Sequence, residues 1–127
     1  MTQIKIKNHL VGHGCPPFIV AEAGINHNGN VDTAFKMIKL AKKSGVDAIK
    51  FQTFKAKEVV ADSKQMFTYK SQDKEITEPM LEMLKRCELS RDAWLDIKNK
   101  CDEEKIMFLS TPQNNSDLDL LLELDIP

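Results

Sequence analysis

Hydrophobic and polar positions along this chain follow two alternating rhythms. Residues 18–24, FIVAEAG, form a short apolar run stopped by Gly24, the pattern of a buried parallel strand. INHNGN (25–30) follows as a turn-rich loop in which Asn30 is placed to cap a helix. Beyond it Val31, Ala34, Phe35, Ile38 and Ala41 recur at helical spacing, Lys42 and Lys43 suit the negative end of that helix, and Gly45 suits its C′ position. DAIKFQTF (47–54) predicts a second strand, and residues 55–76 read as a polar, irregular excursion. Thr77 is placed to cap a helix whose Met80, Met83, Leu84 and Cys87 share a face. Ser90 is placed to cap the next, which buries Trp94, Ile97 and Cys101. IMFLST (106–111), closed by Pro112, predicts a third strand, and Leu118, Leu121 and Leu122 mark a last helix.

Strands alternating with helices imply parallel pairing through right-handed crossovers. An open doubly wound sheet and part of a (β/α)8 barrel both fit that order, and the second strand discriminates between them. With a period of two, Ala48, Lys50 and Gln52 share one face while Ile49, Phe51 and Thr53 share the other. A strand sandwiched between helices wants both faces apolar, whereas a barrel strand turns one face to helices and the other to the lumen. The expected fold class is therefore α/β, the first half of a (β/α)8 TIM barrel that breaks off near the start of a fourth strand. A closed barrel needs about 250 residues, and this chain has 127. On this reading residues 1–17 are an N-terminal extension or hairpin, and 18–127 are the first three βα units.

Composition narrows the classes of function. A net charge of −1 offers no nucleic-acid surface, and the lysines of 36–43 and 98–105 sit at helical spacing as solvated faces. No segment approaches the roughly 18 apolar residues of a membrane span, and the first residues lack a signal-peptide core. Cys15, Cys87 and Cys101 form no CxxC pair and leave one thiol over in any disulfide scheme, which reads as reduced thiols in a cytoplasmic protein. GxGxxG, P-loop, GxSxG and HExxH motifs are all absent. His9, His13 and His27 lack metal-ligand spacing.

Chemistry in parallel α/β folds collects at the C-terminal ends of the strands. Each predicted strand carries a polar residue there: Glu22 on the first, Lys50 and Gln52 on the second, Thr111 on the third. A buried ammonium costs several kcal/mol unless it is paired. Either Lys50 pairs with Glu22 as a structural salt bridge, or it holds an anionic ligand, with Glu22 and Gln52 on polar groups beside it and Thr111 adding a hydroxyl. In the loop, Asn26 and His27 are candidate ligand contacts, with a loop-shaping or capping role as the alternative for His27. Two other functions remain open: a Schiff-base barrel aldolase or lyase using Lys50, and a small non-catalytic α/β regulatory module.

The combination IVAEAGINHNG, DAIKFQTF, MLEMLKRCELS and IMFLSTP, in that order from Phe18 to Pro127, resembles the sialic acid synthase family, whose members make N-acetylneuraminate and other nonulosonic acids. The resemblance implies the N-terminal part of a catalytic barrel that condenses phosphoenolpyruvate with an N-acetylated amino-sugar aldehyde, a transferase-class reaction of carbohydrate biosynthesis. It implies a divalent metal, Mn2+ or Mg2+, whose ligands lie outside this chain, and a homodimer. By motif, Lys50 would bind the phosphate or carboxylate of phosphoenolpyruvate with help from Thr111. Gln52 would contact sugar hydroxyls, and Glu22 would stand by the reacting aldehyde carbon. The chain has Thr111-Pro112-Gln113 where the family often has Thr-Pro-Phe. It also has no clear counterpart in 70–76 of a sugar-contacting asparagine, and TYKSQDKEITEPMLEMLKR is closer to bacterial members acting on legionaminic-type sugars. By itself the 127-residue chain is expected to be inactive.

Overall fold

The computed structural model describes residues 2–127. Three parallel strands organise it: β3 (Val20–Gly24), β4 (Ala48–Thr53) and β7 (Met107–Pro112), hydrogen-bonded in the order β3-β4-β7. The protein is thus an α/β fold in which each strand of this sheet lies beside the one that precedes it in the chain. A short antiparallel hairpin, β1 (Ile4–Ile6) with β2 (His9–Val11), comes first. It sits at the N-terminal ends of the parallel strands. There the Asp47 carboxylate accepts the Ile19 amide at 2.7 Å and stands 3.6 Å from His9 Nε2, while the Asp47 carbonyl accepts the Met107 amide at 3.3 Å.

The helices pack on one face of the sheet. α1 (Val31–Lys43) begins where the Asn30 side chain accepts the Thr33 amide, and α4 (Arg91–Glu104) begins where the Ser90 hydroxyl accepts the Ala93 amide. Both caps fall where the sequence placed them. Ala34, Ile38 and Ala41 of α1, and Trp94, Ile97 and Cys101 of α4, form one cluster with Ile49, Phe51 and Phe108 of the sheet. Burying a large apolar side chain contributes about 1.5–3 kcal/mol, so this layer is the main source of stability. Phe51 meets Trp94 edge-on at 6.0 Å and Phe108 edge-on at 5.8 Å, while Trp94 and Phe108 stack at 6.1 Å. The other face of the sheet, with Val20, Glu22, Lys50, Gln52, Leu109 and Thr111, is partly or fully exposed.

Three expectations are corrected. The stretch 55–76 is not irregular: it contains the short α2 (Ala56–Val59), and Met66–Ser71 (β5) pairs with Lys74–Pro79 (β6) in an antiparallel hairpin. Its turn residues Gln72 and Asp73 both take positive φ, 49° and 63°. Such a turn normally signals itself by Asn-Gly or Asp-Gly, and Gln-Asp carries no such signal. Thr77 therefore caps nothing. It lies inside β6 with its hydroxyl 2.9 Å from that of Thr68, and α3 (Met80–Cys87) starts after Pro79. In α5 (Asn115–Glu123) Leu121 is buried, but Leu118 and Leu122 are exposed. The inward stripe runs through Asp117, whose carboxylate accepts the Asn114 amide, and Leu121 to Leu124 just past the helix, where Leu124 joins the main core cluster.

Cys101 is fully buried, and loss of hydration pushes its thiol up to about 12; Cys87, also buried, is raised for the same reason, while Cys15 is half-exposed. Since the thiolate is the reactive form, a thiol reagent at mildly alkaline pH should label Cys15 and leave Cys101 unmodified until denaturant is added. Mass spectrometry of the labelled peptides reads the outcome.

Candidate functional site

The sheet brings together the four polar residues at its C-terminal end. Register pairs Glu22 with Lys50, and Gln52 with Thr111. Because parallel register partners point to the same side, all four lie on the face opposite the helices. Lys50 Nζ stands 3.1 Å from Glu22 Oε2, with the side chains 40% and 50% exposed. The salt bridge is therefore present, but it is a half-solvated pair and not a buried one. Such pairs contribute about 0–1 kcal/mol, so the pair stabilises the fold little and leaves the ammonium available to a better anion.

Behind the cluster the chain makes a bulge. Register shifts between Glu22 and Gly24, which then faces Phe51, and Gly24 has φ +53°. A Cβ at Gly24 would lie 3.4 Å from Glu22 Oε1 and 3.7 Å from Gln52 Nε2. Glycine here both supplies the left-handed conformation and keeps the floor between the carboxylate and the amide free. On the helix face of the same strands, Thr53 Oγ1 and Ser110 Oγ are 2.6 Å apart, joining β4 to β7 one level above Phe51.

The two loop candidates separate. Asn26 is exposed and lines a hollow of about 450 Å3 with Phe67, Tyr69, Met83 and Arg86. His27 has no exposed surface; its ring lies on the helix side of the sheet, 6.0 Å from Phe51 and 6.1 Å from Trp94. It therefore lies on the side of the sheet away from Glu22, Lys50, Gln52 and Thr111. The physical reason is the run of tight turns from Ala23 to Asn30: Asn26 bonds back to Ala23, Asn28 to Ile25 and Asn30 to His27, which folds the imidazole inward.

Sequence reasoning missed the support of this loop. Gly29, at φ +73°, is pressed so closely on α3 that a Cβ there would run into the carbonyl oxygen of Arg86. Arg86 in turn grips Glu78 of β6 with two bonds of 2.6 and 2.8 Å, and the Tyr69 hydroxyl donates to the same carboxylate at 2.7 Å. The bonds from Arg86 and then Tyr69 hold that carboxyl below its ordinary range. The β5–β6 hairpin, α3 and the loop after β3 are thereby joined. The sequence signal lay in Phe67 and Tyr69 alternating with Thr68 and Lys70.

Among the described residues, no group of three His, Cys, Asp or Glu side chains could hold a metal ion. The cluster's carboxylate, Glu22, faces an ammonium, so these residues do not fit the divalent metal implied by the resemblance. No helix among them is long and apolar enough to cross a membrane.

Comparison with known proteins places the chain as a whole. A model of the NeuB family matches residues 37–127, a span that includes Lys50, Gln52 and Thr111. The N,N'-diacetyllegionaminic acid synthase of Campylobacter jejuni is 38% identical over 108 residues, which cover 85% of this chain and 32% of that protein. Human N-acetylneuraminate-9-phosphate synthase is 29% identical over 127 residues, covering 92% of this chain and 32% of that one. The crystal structure of N-acetylneuraminic acid (sialic acid) synthetase from Leptospira borgpetersenii in complex with citrate superposes with a TM-score of 0.83 at 28% identity. It covers 98% of this chain and 39% of that one, so the β3 residues are included. The chain spans about a third of the length of the curated relatives it matches.

Gly29→Ala is expected to cost at least the roughly 1–2 kcal/mol of a left-handed non-glycine residue, with the overlap on Arg86 added to it. A lower denaturation midpoint, together with faster proteolysis in residues 66–79, is the predicted result.

Proposed function

The chain belongs to the NeuB family, and on that footing we propose that it supplies the phosphoenolpyruvate side of a nonulosonic acid synthase. The reaction joins phosphoenolpyruvate to an N-acetylated amino-sugar aldehyde. Carbon 3 of phosphoenolpyruvate forms a bond to the aldehyde carbon, water adds at carbon 2, and phosphate departs with cleavage of the C–O bond. The observation that carries the reading is the set Glu22, Lys50, Gln52 and Thr111 on one uncovered face at the C-terminal ends of parallel strands. The legionaminic and neuraminic acid synthases among the relatives support the substrate class.

In this proposal the sheet is an arc of a (β/α)8 barrel. Strands in sequential order with helices on one face support a barrel wall over a free-standing regulatory module, which would cover both faces. Lys50 donates to phosphate or carboxylate oxygens of phosphoenolpyruvate, exchanging the Glu22 carboxylate for a dianion. The Thr111 hydroxyl donates beside it, and the Gln52 amide meets sugar hydroxyls across the gap that Gly24 leaves open. Glu22, once released from Lys50, is free to orient the sugar or carry a proton at the aldehyde. A Schiff base at Lys50 would need an unpaired, desolvated amine, and this side chain is 40% exposed and paired. The residues of this chain hold no metal in the proposal, and no step given to them passes through one. Residues 1–127 alone are accordingly proposed to be inactive.

Lys50→Met in the complete enzyme keeps the aliphatic stem and deletes the charge. Loss of a charge-assisted bond of about 1.5–3 kcal/mol should weaken phosphoenolpyruvate binding roughly 10- to 150-fold. The melting temperature should move little, since the pair with Glu22 is half-solvated. Normal binding combined with a large loss of stability would sink the anion-site reading.

Glu22→Gln should lower kcat by about 10²–10⁴-fold if the carboxylate handles a proton, with KM for phosphoenolpyruvate nearly unchanged. A fall in phosphoenolpyruvate affinity with intact kcat would instead assign Glu22 to anchoring Lys50. Steady-state kinetics with amino-sugar at saturation separates the two.

A further inference from the structure

His27 is fully buried, yet its Nε2 has no hydrogen-bond partner, an arrangement that core packing alone does not call for. Its Nδ1 accepts the Gly29 amide at 3.0 Å, so the neutral ring carries its proton on Nε2. Phe51 and Trp94 pack around the imidazole, the Trp94 ring at 89° to it. A leucine or phenylalanine would fill this space with no polar atom to satisfy. The histidine is therefore explained by what Nδ1 does, which is to hold the amide of Gly29.

We propose that His27 is a positioning residue: by accepting the Gly29 amide and bracing Phe51, it holds the loop 23–30 and, through it, Gly24 and Glu22 in the geometry the site uses. The inference rests on the reading of Glu22, Lys50 and Gln52 as the substrate-binding cluster. Three connections link the imidazole to that cluster. Phe51 is the register partner of Gly24 and sits between Lys50 and Gln52 in the chain. Gly24, at φ +53°, faces the two side chains so directly that a Cβ there would come within van der Waals reach of Glu22 and Gln52. The Ala23–Asn26 turn begins immediately after Glu22, and the His27 carbonyl accepts the Asn30 amide that starts α1. The imidazole thus ties the end of β3, the middle of β4 and the start of α1 together from the side away from substrate.

The hydrogen bond requires a neutral ring, because a proton on Nδ1 would face the Gly29 N–H. Several charged groups on the surrounding elements are paired with one another. Lys50 of β4 pairs with Glu22 of β3 on the opposite face, Arg86 of α3 pairs with Glu78, Arg91 of α4 pairs with Glu123, and Asp32 lies in the first turn of α1. Burial without a compensating carboxylate keeps the ring below its ordinary titration range. The folded state therefore binds this proton less readily than the unfolded chain. Stability from His27 is complete above about pH 6.5 and is lost as pH falls below it.

The test uses the complete enzyme with His27→Phe and His27→Asn. Phenylalanine keeps a ring against Phe51 and Trp94 but removes the acceptor; asparagine restores an acceptor for the amide two residues on, as in an Asx turn. His27→Phe should retain most of the melting temperature yet lose about 10- to 100-fold in kcat/KM, the scale of a misplaced reacting group. It should also accelerate amide exchange in residues 23–30, read by mass spectrometry without substrate. His27→Asn should recover most of the activity and the exchange protection even if it melts earlier. In both variants the acid loss of stability that begins near pH 6.5 should shrink. Wild-type activity and exchange in His27→Phe would overturn the proposal, as would equal loss of activity in both variants in step with melting temperature, which would make His27 only a core filler. If the wild-type enzyme turned over no phosphoenolpyruvate, the synthase reading would fall. The hold of His27 on the loop would then be judged by exchange alone, with unchanged exchange in His27→Phe counting against it.

Discussion

Phe51 is wedged among Trp94, Phe108 and His27, with no exposed surface. Fixing that ring on the helix side forces its chain neighbours, Lys50 and Gln52, onto the opposite side, because side chains alternate along a strand. A slip of one residue would put an ammonium and an amide among aromatic rings, at a cost of several kcal/mol. The apolar layer therefore sets the direction of the polar one. Everything assembled around the cluster follows from that constraint: the register partner Glu22, the bulge at Gly24, and the loop that returns to brace Phe51 from behind.

The cluster itself is held loosely by comparison. Lys50 and Glu22 satisfy one another at 3.1 Å in a solvated setting, where the attraction between unit charges is heavily screened. Such a pair preserves charge balance on an uncovered face while remaining easy to open. Rigidity comes from the backbone bonds of β3, β4 and β7 and from the aromatic layer beneath, so exchanging one counter-charge for another need not disturb the fold. The division is consistent with a site whose frame is stiff and whose side-chain contacts are replaceable.

Most of the frame was legible because it rests on short-range rules. Asn30 and Ser90 cap the helices they precede, and the stripe through Ala34, Ile38 and Ala41 faces inward as its spacing requires. The alternation correctly set Lys50 and Gln52 on the open face and Ile49, Phe51 and Thr53 on the buried one. What was not legible depends on partners distant in sequence. The β5–β6 hairpin is joined to α3 by the bonds from Arg86 and Tyr69 to Glu78, partners that lie well apart in sequence, and its Gln72-Asp73 turn carries no local signal. Leu118 and Leu122 fit a helical stripe as well as Leu121 does, and which side turns inward is set by packing against the sheet and not by local spacing. His27 lies in a stretch rich in turn formers, where nothing local shows that a ring will be drawn beneath the sheet.

The long excursion between β4 and β7 has a consequence for how the molecule can vary. Ala48 pairs with Val20 on one side and with Met107 on the other, and the second separation along the chain is about twice the first. Doubling a loop adds only about 0.6 kcal/mol of closure entropy, so the length that α2, the hairpin and α3 add to this connection costs little by itself. The base of the sheet, gathered at Asp47, is indifferent to what that connection carries. Material above the strand ends can thus be lengthened, shortened or exchanged while the alternation beneath stays fixed. The hairpin is the part of this architecture where new recognition can be grafted at least risk to folding.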